Sequence, residues 1–315
     1  MSEVYIGNLF ASDTQKDVYQ EYCFKKHIYA IGWAVLTIPN TMKEYIEISK
    51  EHFRKDNGEE NTGLNRAIKV ITDIKKGDFV WTRCRKTGKY WLGKVAKDGK
   101  DISSEDFYHI YDDDKNRTVY CLSLPCEKEW KEYNMDQVPG IVICNFQRMT
   151  IKLCPQSQHV INYCESLYNE TELPQQELPA LKAFLSPDDE EDLLGIFLQK
   201  EEHYWIYPST NKSGTAAYEY MLAKKDEKEN IQKAICQCKM GNDDIELKNF
   251  EKYKDFEIYC VTDEGEVKYK GNTYEGDKPN VHVLSLMDLL IWAKKKENID
   301  ILPNRIKRNL KKTDF

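Results

Sequence analysis

Residues 231–241, IQKAICQCKMG, alternate in side-chain character and end at a glycine, a pattern typical of a β-strand. Gln237 and Lys239 are two residues apart, so alternation along a strand places both side chains on one face of a sheet. The preceding stretch TAAYEYMLAKK is separated from IQKAICQCKMG by the charged turn DEKEN, and together they predict a β-hairpin. Glu219 lies on the first strand of this hairpin. We expect its carboxyl to share a pocket with Gln237 and Lys239.

The elements around this hairpin predict an α/β domain with a mixed sheet. A helix beginning at Pro187 has acids in its first turn and an apolar stripe in EDLLGIFLQ, and the strand HYWIYP follows it. After the hairpin, DDIELKNFEKYKDF is expected to be helical, and EIYCVTDEG and NVHVLSL are expected to be strands. MDLLIWAKKK and PNRIKRNLKK then predict closing helices.

The first half of the chain predicts a separate, β-rich and barrel-like domain. Strands are expected in HIYAIGWAVLTIP, RTVYCLSL and VPGIVICNFQRMTIKLC, and a helix in TMKEYIEISKEHFRK. Prolines 174, 179 and 187 interrupt a polar stretch, which favours a domain boundary there. We therefore expect an α+β protein with domains at residues 1–172 and 173–315.

GDFVWTR and GKYWLGKV predict a second hairpin, in which aromatic and basic residues are interleaved. Basic side chains contact phosphates and aromatic rings stack on bases, so this hairpin is a candidate nucleic-acid surface. A place in the core is the alternative reading for the tryptophans. The candidate nucleic-acid-binding residues are Trp33, Trp81, Arg83, Arg85, Lys86, Tyr90 and Trp91.

Composition indicates a folded protein, since 41% of the 315 residues are hydrophobic and 31% are charged. The formal net charge of −7 argues against a general polyanion binder, although a local basic face remains compatible with nucleic acid. The N-terminal stretch has no basic segment followed by an apolar one, and no apolar run approaches the roughly 20 residues that cross a bilayer. We expect a cytoplasmic protein that does not enter membranes, with its ten cysteines as free thiols.

The succession EEDLLGIFLQ, HYWIYPSTNKSGTAAYE and QCK resembles the PD-(D/E)xK nuclease superfamily. It is most similar to modification-dependent restriction endonucleases of the Mrr type, whose last motif is QxK. The resemblance implies a restriction-endonuclease-like domain with a Mg²⁺ or Mn²⁺ cofactor and the catalytic residues Glu191, Glu219, Gln237 and Lys239. Glu191 and Glu219 would bind the metal.

Two features depart from that family pattern. The second acid is usually Asp within D-x-G-x-D, whereas here Glu219 follows GTAAY. The choice of the acid on the helix also remains open, because Glu190 borders the apolar stripe as Glu191 does.

The first domain, through GW, GDFVW and YWLGKV, loosely resembles reader barrels of the PUA and EVE kind, which implies recognition of nucleic acid.

The resemblance implies a metal-dependent nuclease that acts on foreign or phage DNA in bacterial antiviral defence. A catalytically inactive DNA-binding or protein-binding defence module that keeps the fold is the alternative. An RNA-directed, toxin-like enzyme is a third reading. DNA is the expected partner, and a partner protein of a defence system and self-association into a homo-oligomer are left open.

Overall fold

The chain divides into two compact units, residues 1–174 and 175–315, where the sequence had predicted a boundary after residue 172. The structure is a computed structural model. It describes residues 2–9, 16–112, 117–146, 150–155, 158–207, 218–226 and 228–311. No helix in these ranges is long and apolar enough to cross a bilayer. The ten cysteines, which all lie in these ranges, form no disulfide bonds.

The first unit combines helices with two sheets. Its α-helices are α1 (Lys16–Lys26), α2 (Met42–His52), α3 (Thr62–Asp73), α4 (Gly140–Cys144) and α5 (Gln158–Asn169). Its strands are β1 (Val4–Gly7), β2 (Ile28–Ala30), β3 (Phe79–Arg83), β4 (Tyr90–Lys94), β5 (Phe107–Asp112), β6 (Arg117–Pro125), β7 (Lys131–Tyr133) and β8 (Ile151–Leu153).

The two sheets of this unit stay open over the described residues. One has the strand order β7-β4-β3-β1-β8, and the other has the order β2-β6-β5. Tyr45 of α2 and Leu64, Ala67 and Ile71 of α3 are buried in the same core as residues of both sheets. The mixed α+β class is therefore confirmed, but the expected barrel-like closure is wrong for the described residues, because helices supply part of the core.

The segment VPGIVICNFQRMTIKLC is only partly extended. Among its described residues, Gly140–Cys144 form the short helix α4, which follows Pro139, and Ile151–Leu153 form a strand. A short apolar run fits a buried strand and a buried helix equally well. Proline before the first helical residue favours the helix here because it needs no hydrogen-bonded N–H.

The second unit contains the hairpin with which the sequence argument began. Its α-helices are α6 (Pro187–Lys200), α7 (Leu286–Lys294), α8 (Lys296–Ile299) and α9 (Asn304–Leu310). Its strands are β9 (Trp205–Ile206), β10 (Tyr220–Lys225), β11 (Ile231–Lys239), β12 (Ile245–Glu246), β13 (Glu257–Thr262), β14 (Val267–Tyr269), β15 (Asn272–Thr273) and β16 (Val281–Ser285). The segment expected to be helical between β11 and β13 forms a 3-10 helix over Leu247–Tyr253.

The main sheet of the second unit is mixed, with the order β16-β13-β11-β10-β9. β10 is antiparallel to β9 and β11, whereas β11, β13 and β16 are parallel to one another. β12, β14 and β15 form a smaller sheet of their own. The centre of the main sheet is therefore β11, which carries Gln237 and Lys239.

Alternation along β11 divides the unit into two cores. Ala234, Cys236 and Cys238 pack in one core with leucines of α6. Ile235 packs on the other face with Phe250 of the 3-10 helix. Gln237 and Lys239 share the face of Ile235, because they are two and four residues further along the strand.

Candidate functional site

The N-terminus of α6 is fixed by a capping box and a buried ion pair. The hydroxyl of Ser186 accepts a hydrogen bond from the backbone N–H of Asp189, whose carboxylate accepts one from the Ser186 N–H at 2.7 Å. Nε of Arg305 on α9 donates to the other oxygen of Asp189 at 2.7 Å. These contacts hold the first turn of α6, and with it the acids that follow.

Glu190 is fully buried against the sheet. Its Oε2 accepts a weak hydrogen bond from the Sγ of Cys238 at 3.6 Å, and its Oε1 has no hydrogen-bond partner. Burial, followed by repulsion from Asp263, raises the pKa of Glu190 to about 8. This side chain faces β11 from the α6 side and carries a proton at neutral pH.

Glu191, the next residue, belongs to a different group of side chains. Burial first, and then repulsion from Glu219, Asp188 and Asp192, raise its pKa to about 7, against a smaller lowering by Lys239. Burial also raises the pKa of Glu219, and Lys239 again lowers it. Glu191, Glu219 and Lys239, which the sequence proposes as site residues, are therefore close enough to affect one another electrostatically.

Glu219 lies just before β10 and not within it, which corrects the expectation that it is a strand residue. Tyr220 is the ladder partner of Cys236, yet the backbone N–H of Glu219 also donates to the Cys236 carbonyl, at 2.8 Å. Two consecutive residues opposite one partner are typical of a β-bulge, which redirects a side chain. The stretch 208–217, which includes most of GTAAYE, lies outside the described residues.

Gln237 lies near the end of β11, two residues before Lys239. It is 9% exposed and lies on the sheet face that α6 does not cover. Within the ranges that the structure describes, no hydrogen bond joins its amide to Glu191 or Glu219. Lys239 shares that face but is the last residue of β11, and a strand end is where groups from both faces of a sheet can meet.

Glu191 and Glu219 are the residues that could hold a divalent cation. Half-buried carboxylates that repel each other are oxygen donors of the kind that Mg²⁺ prefers, and a cation between them would relieve the repulsion. Across the described part of the chain, no group of three or more His, Cys, Asp and Glu side chains is arranged to hold a metal ion. A metal here would need further ligands of another kind, such as backbone carbonyls or water.

The hairpin of the first unit forms as expected, but two of its aromatic residues are in the core. Trp81 is fully buried and its Nε1 donates to Cys164 Sγ at 3.3 Å, and Tyr90 is 2% exposed. Trp81 and Tyr90 therefore do not lie on the outer surface of the hairpin, where the sequence prediction had put them. β3 is the central strand of its sheet, and its first four residues are all buried.

The other candidates of the first unit are nearer the surface. Trp91 stacks on Phe24 with ring centroids 4.2 Å apart. The indole N–H of Trp33 donates to the hydroxyl of Thr150 at 3.2 Å. Each of these rings packs on the protein itself.

The basic residues lie at the tip of the hairpin. Arg83, Arg85 and Lys86 are exposed or half-buried around the turn between β3 and β4. Lys86 forms an ion pair with Glu21 at 3.5 Å. A basic tip exists, but the interleaved aromatic and basic surface does not.

Sequence reasoning missed Asp263 and Lys182, which form an ion pair beside Glu190. The backbone N–H of Asp263 donates to the Lys239 carbonyl at 3.3 Å, so this acid lies at the same end of the sheet. The position of Asp263 in the sequence could have indicated it, since it directly follows a strand that runs parallel to β11.

Comparison of the chain with protein-family models, with curated proteins and with solved structures finds no match.

Proposed function

We propose that the second unit is a metal-dependent phosphodiesterase that cleaves DNA, with Glu191, Glu219 and Lys239 as its site. The observation that carries this proposal is the electrostatic coupling of two half-buried carboxyls, Glu191 and Glu219, to the ammonium of Lys239, the last residue of β11. Hydrolysis of a phosphodiester requires an anionic metal site beside a cation that contacts the phosphate. These three side chains provide both.

Each residue has a distinct role in this proposal. Glu191 and Glu219 would hold one or two Mg²⁺ or Mn²⁺ ions, which supply an activated water and neutralise phosphate charge. Lys239 would hold a non-bridging phosphate oxygen and stabilise the charge that develops on it. Gln237 is left out of the ligand set because of its place on the sheet.

The mixed sheet supports the proposal at the level of topology. A helix followed by an antiparallel hairpin and parallel strands, with the acids and the lysine at one strand end, agrees with the motif order on which the nuclease resemblance rests. A role against foreign DNA is a narrower proposal, which rests on that motif resemblance alone.

A binding module without catalysis is the second candidate. The observation in its favour is that the described carboxylates, thiols and imidazoles form no group of three suited to a metal. In this reading, Glu191 and Glu219 are acids left at a site whose chemistry is lost. DNA or a partner protein would then be bound without being cut.

Cleavage assays separate the two candidates. The full-length protein is incubated with plain and modified plasmid DNA, and with RNA, in Mg²⁺, Mn²⁺ or EDTA. The proposal predicts cation-dependent DNA cleavage that falls by about 10²- to 10³-fold in Glu219→Gln and in Lys239→Met, since each removes a group that acts on the phosphate or its metal. Glu229→Gln and Lys228→Met are the matched controls, because both residues are exposed in the turn between β10 and β11.

The outcomes are distinct. Unchanged cleavage in Glu219→Gln would contradict the assigned site. DNA binding without cleavage in the presence of either cation would favour the second candidate, a binding module without catalysis. Cleavage of RNA alone would favour the toxin-like reading.

A further inference from the structure

A cavity of about 370 Å³ opens on the sheet face that α6 does not cover. The buried side chains of Phe250 and Ile258 line it, and both belong to the core of that face. Ligand pockets of proteins are concave, largely apolar and roughly 300–1,000 Å³ in volume. The cavity is therefore large enough for a small organic molecule.

Aromatic rings form the walls of this cavity. Tyr253 and Tyr269 line it and are half-buried. The ring of Tyr253 packs edge-on against Tyr218 at 5.6 Å, and the hydroxyl of Tyr269 donates to Glu251 at 3.4 Å. A nucleobase stacks on an aromatic face irrespective of its identity, although the ammoniums of Lys278 and Lys270 already lie over the ring of Tyr269.

The charged residues that line the cavity are two lysines and one acid, Glu251, so the lining carries a net positive charge. Lys254 and Lys278 line it, and in the described ranges neither ammonium has a carboxylate within 4.0 Å. The ammonium of Lys278 lies 3.5 Å from the centroid of the Tyr269 ring. The backbone of Lys278 is also held by Tyr274, whose hydroxyl accepts a hydrogen bond from the Lys278 N–H at 2.8 Å and donates one to the Lys278 carbonyl at 2.9 Å.

Asn280 adds a polar group with a defined orientation. Its Nδ2 donates to the Phe256 carbonyl at 2.8 Å, which leaves Oδ1 as an acceptor in the lining of the cavity. An apolar floor, aromatic walls, an oriented amide and two lysines complement a ligand with a flat heteroaromatic ring and a phosphate.

We propose that this cavity binds a nucleoside 5′-phosphate, with the base against Tyr253 or Tyr269 and the phosphate on Lys278 and Lys254. The nucleotide is either free or part of a single strand. Ile258 and Thr262 lie on one face of β13, roughly 13 Å apart along the strand, and Thr262 pairs with Lys239. A strand held by its base in the cavity could therefore run towards the candidate phosphodiesterase site.

The test uses the full-length protein in EDTA, so that neither cleavage nor metal binding at Glu191 and Glu219 enters the result. Binding of dAMP, of AMP, of inorganic phosphate and of a short oligodeoxythymidylate is measured by titration calorimetry. Lys278→Ala and Tyr269→Leu are compared with Lys248→Ala, because Lys248 is an exposed lysine of the 3-10 helix Leu247–Tyr253 that does not line the cavity. Near-ultraviolet circular dichroism verifies that each variant keeps its tertiary packing.

The proposal predicts saturable binding of a nucleotide that is at least about tenfold weaker in Lys278→Ala, because a hydrogen bond to a charged group is lost, and that is unchanged in Lys248→Ala. Weaker binding in Tyr269→Leu would assign the base to that ring. Binding of dAMP indicates a free nucleotide, and binding of the oligonucleotide alone indicates a single strand. No saturable binding of any nucleotide, or binding unaffected by both cavity substitutions, would overturn the proposal. Neither result bears on DNA cleavage at Lys239.

Discussion

Lys239 and Glu219 interact across the β10–β11 hairpin: the ammonium of Lys239 lowers the pKa of Glu219, although burial raises that pKa by more. The same ammonium acts on Glu191, whose carboxyl is also repelled by Glu219. The three groups are thus coupled electrostatically, and this coupling makes the account testable.

Binding of Mn²⁺ should strengthen as pH rises through neutrality. The pKa of Glu191 is raised to about 7, first by burial and then by Glu219. The carboxyl is mostly protonated at pH 6 and mostly ionised at pH 8, and a cation binds the ionised form. Affinity should rise about tenfold between these pH values. Titration calorimetry at pH 6 and pH 8 measures the affinity for Mn²⁺, and the increase between the two pH values should be smaller in Glu191→Gln. Equal affinity at pH 6 and pH 8 would exclude Glu191 as a ligand.

Glu190→Gln should stabilise the protein at alkaline pH. Burial, with Asp263, raises the pKa of Glu190 to about 8. The unfolded chain ionises this carboxyl near its ordinary pKa of 4.5, so stability falls as pH rises from about 5 to about 8. The substitution removes that loss, so the gain in the free energy of unfolding should be about 3–4 kcal/mol larger at pH 8 than at pH 5. Urea unfolding at pH 5 and pH 8 measures it. Glu177→Gln, at an exposed position, is the control, and an equal effect at both pH values would contradict the assignment.

Arg305→Ala should destabilise the second unit strongly. The side chains of Arg305 and Asp189 are 10% and 4% exposed, and Asp189 also caps α6. Removing one partner of a buried pair leaves an uncompensated charge and costs about 3–5 kcal/mol. Lys225→Ala breaks the exposed ion pair with Glu229 and should cost less than about 1 kcal/mol. Chemical denaturation of the two variants compares them. Similar losses would show that the α6 cap does not depend on Arg305.

The hairpin of the first unit should separate stability from nucleic-acid affinity. Trp81→Ala should cost about 3–5 kcal/mol, because the side chain is fully buried. Combined substitution of Arg83, Arg85 and Lys86 by alanine should leave stability nearly unchanged. If the tip contacts DNA phosphates, this variant should bind DNA more weakly, with a shallower dependence of affinity on salt. An unchanged salt dependence would remove the hairpin tip from any DNA contact.

The sequence predicted the elements of the second unit better than the details of its site. Local patterns were sufficient for α6 and β11, because an apolar stripe and a strand alternation are properties of short segments. Glu190 and Glu191 border the same stripe, and only packing against β11 separates the buried acid from the one near Lys239. Glu219 lies just outside the ladder, which begins at Tyr220, and no pattern of residue types predicts where the ladder begins.

The first unit was predicted less well because its aromatic residues are not limited to one face. Trp81 lies on a central strand and is buried, so an apparent alternation of aromatic and basic residues did not correspond to an outer surface. α5 was not predicted at all, although Val160, Ile161, Cys164 and Tyr168 have the spacing of a buried helix face. An alternation of aromatic and basic residues predicts an outer surface only for a strand that has one face exposed to water.

The most direct measurement is an anomalous difference map from crystals of the full-length protein soaked in Mn²⁺. The account predicts a peak in contact with carboxylate oxygens of Glu191 and Glu219, beside the ammonium of Lys239, and loss of that peak in Glu219→Gln. Saturating Mn²⁺ that gives no peak at these carboxylates, or that binds only elsewhere on the chain, would contradict it.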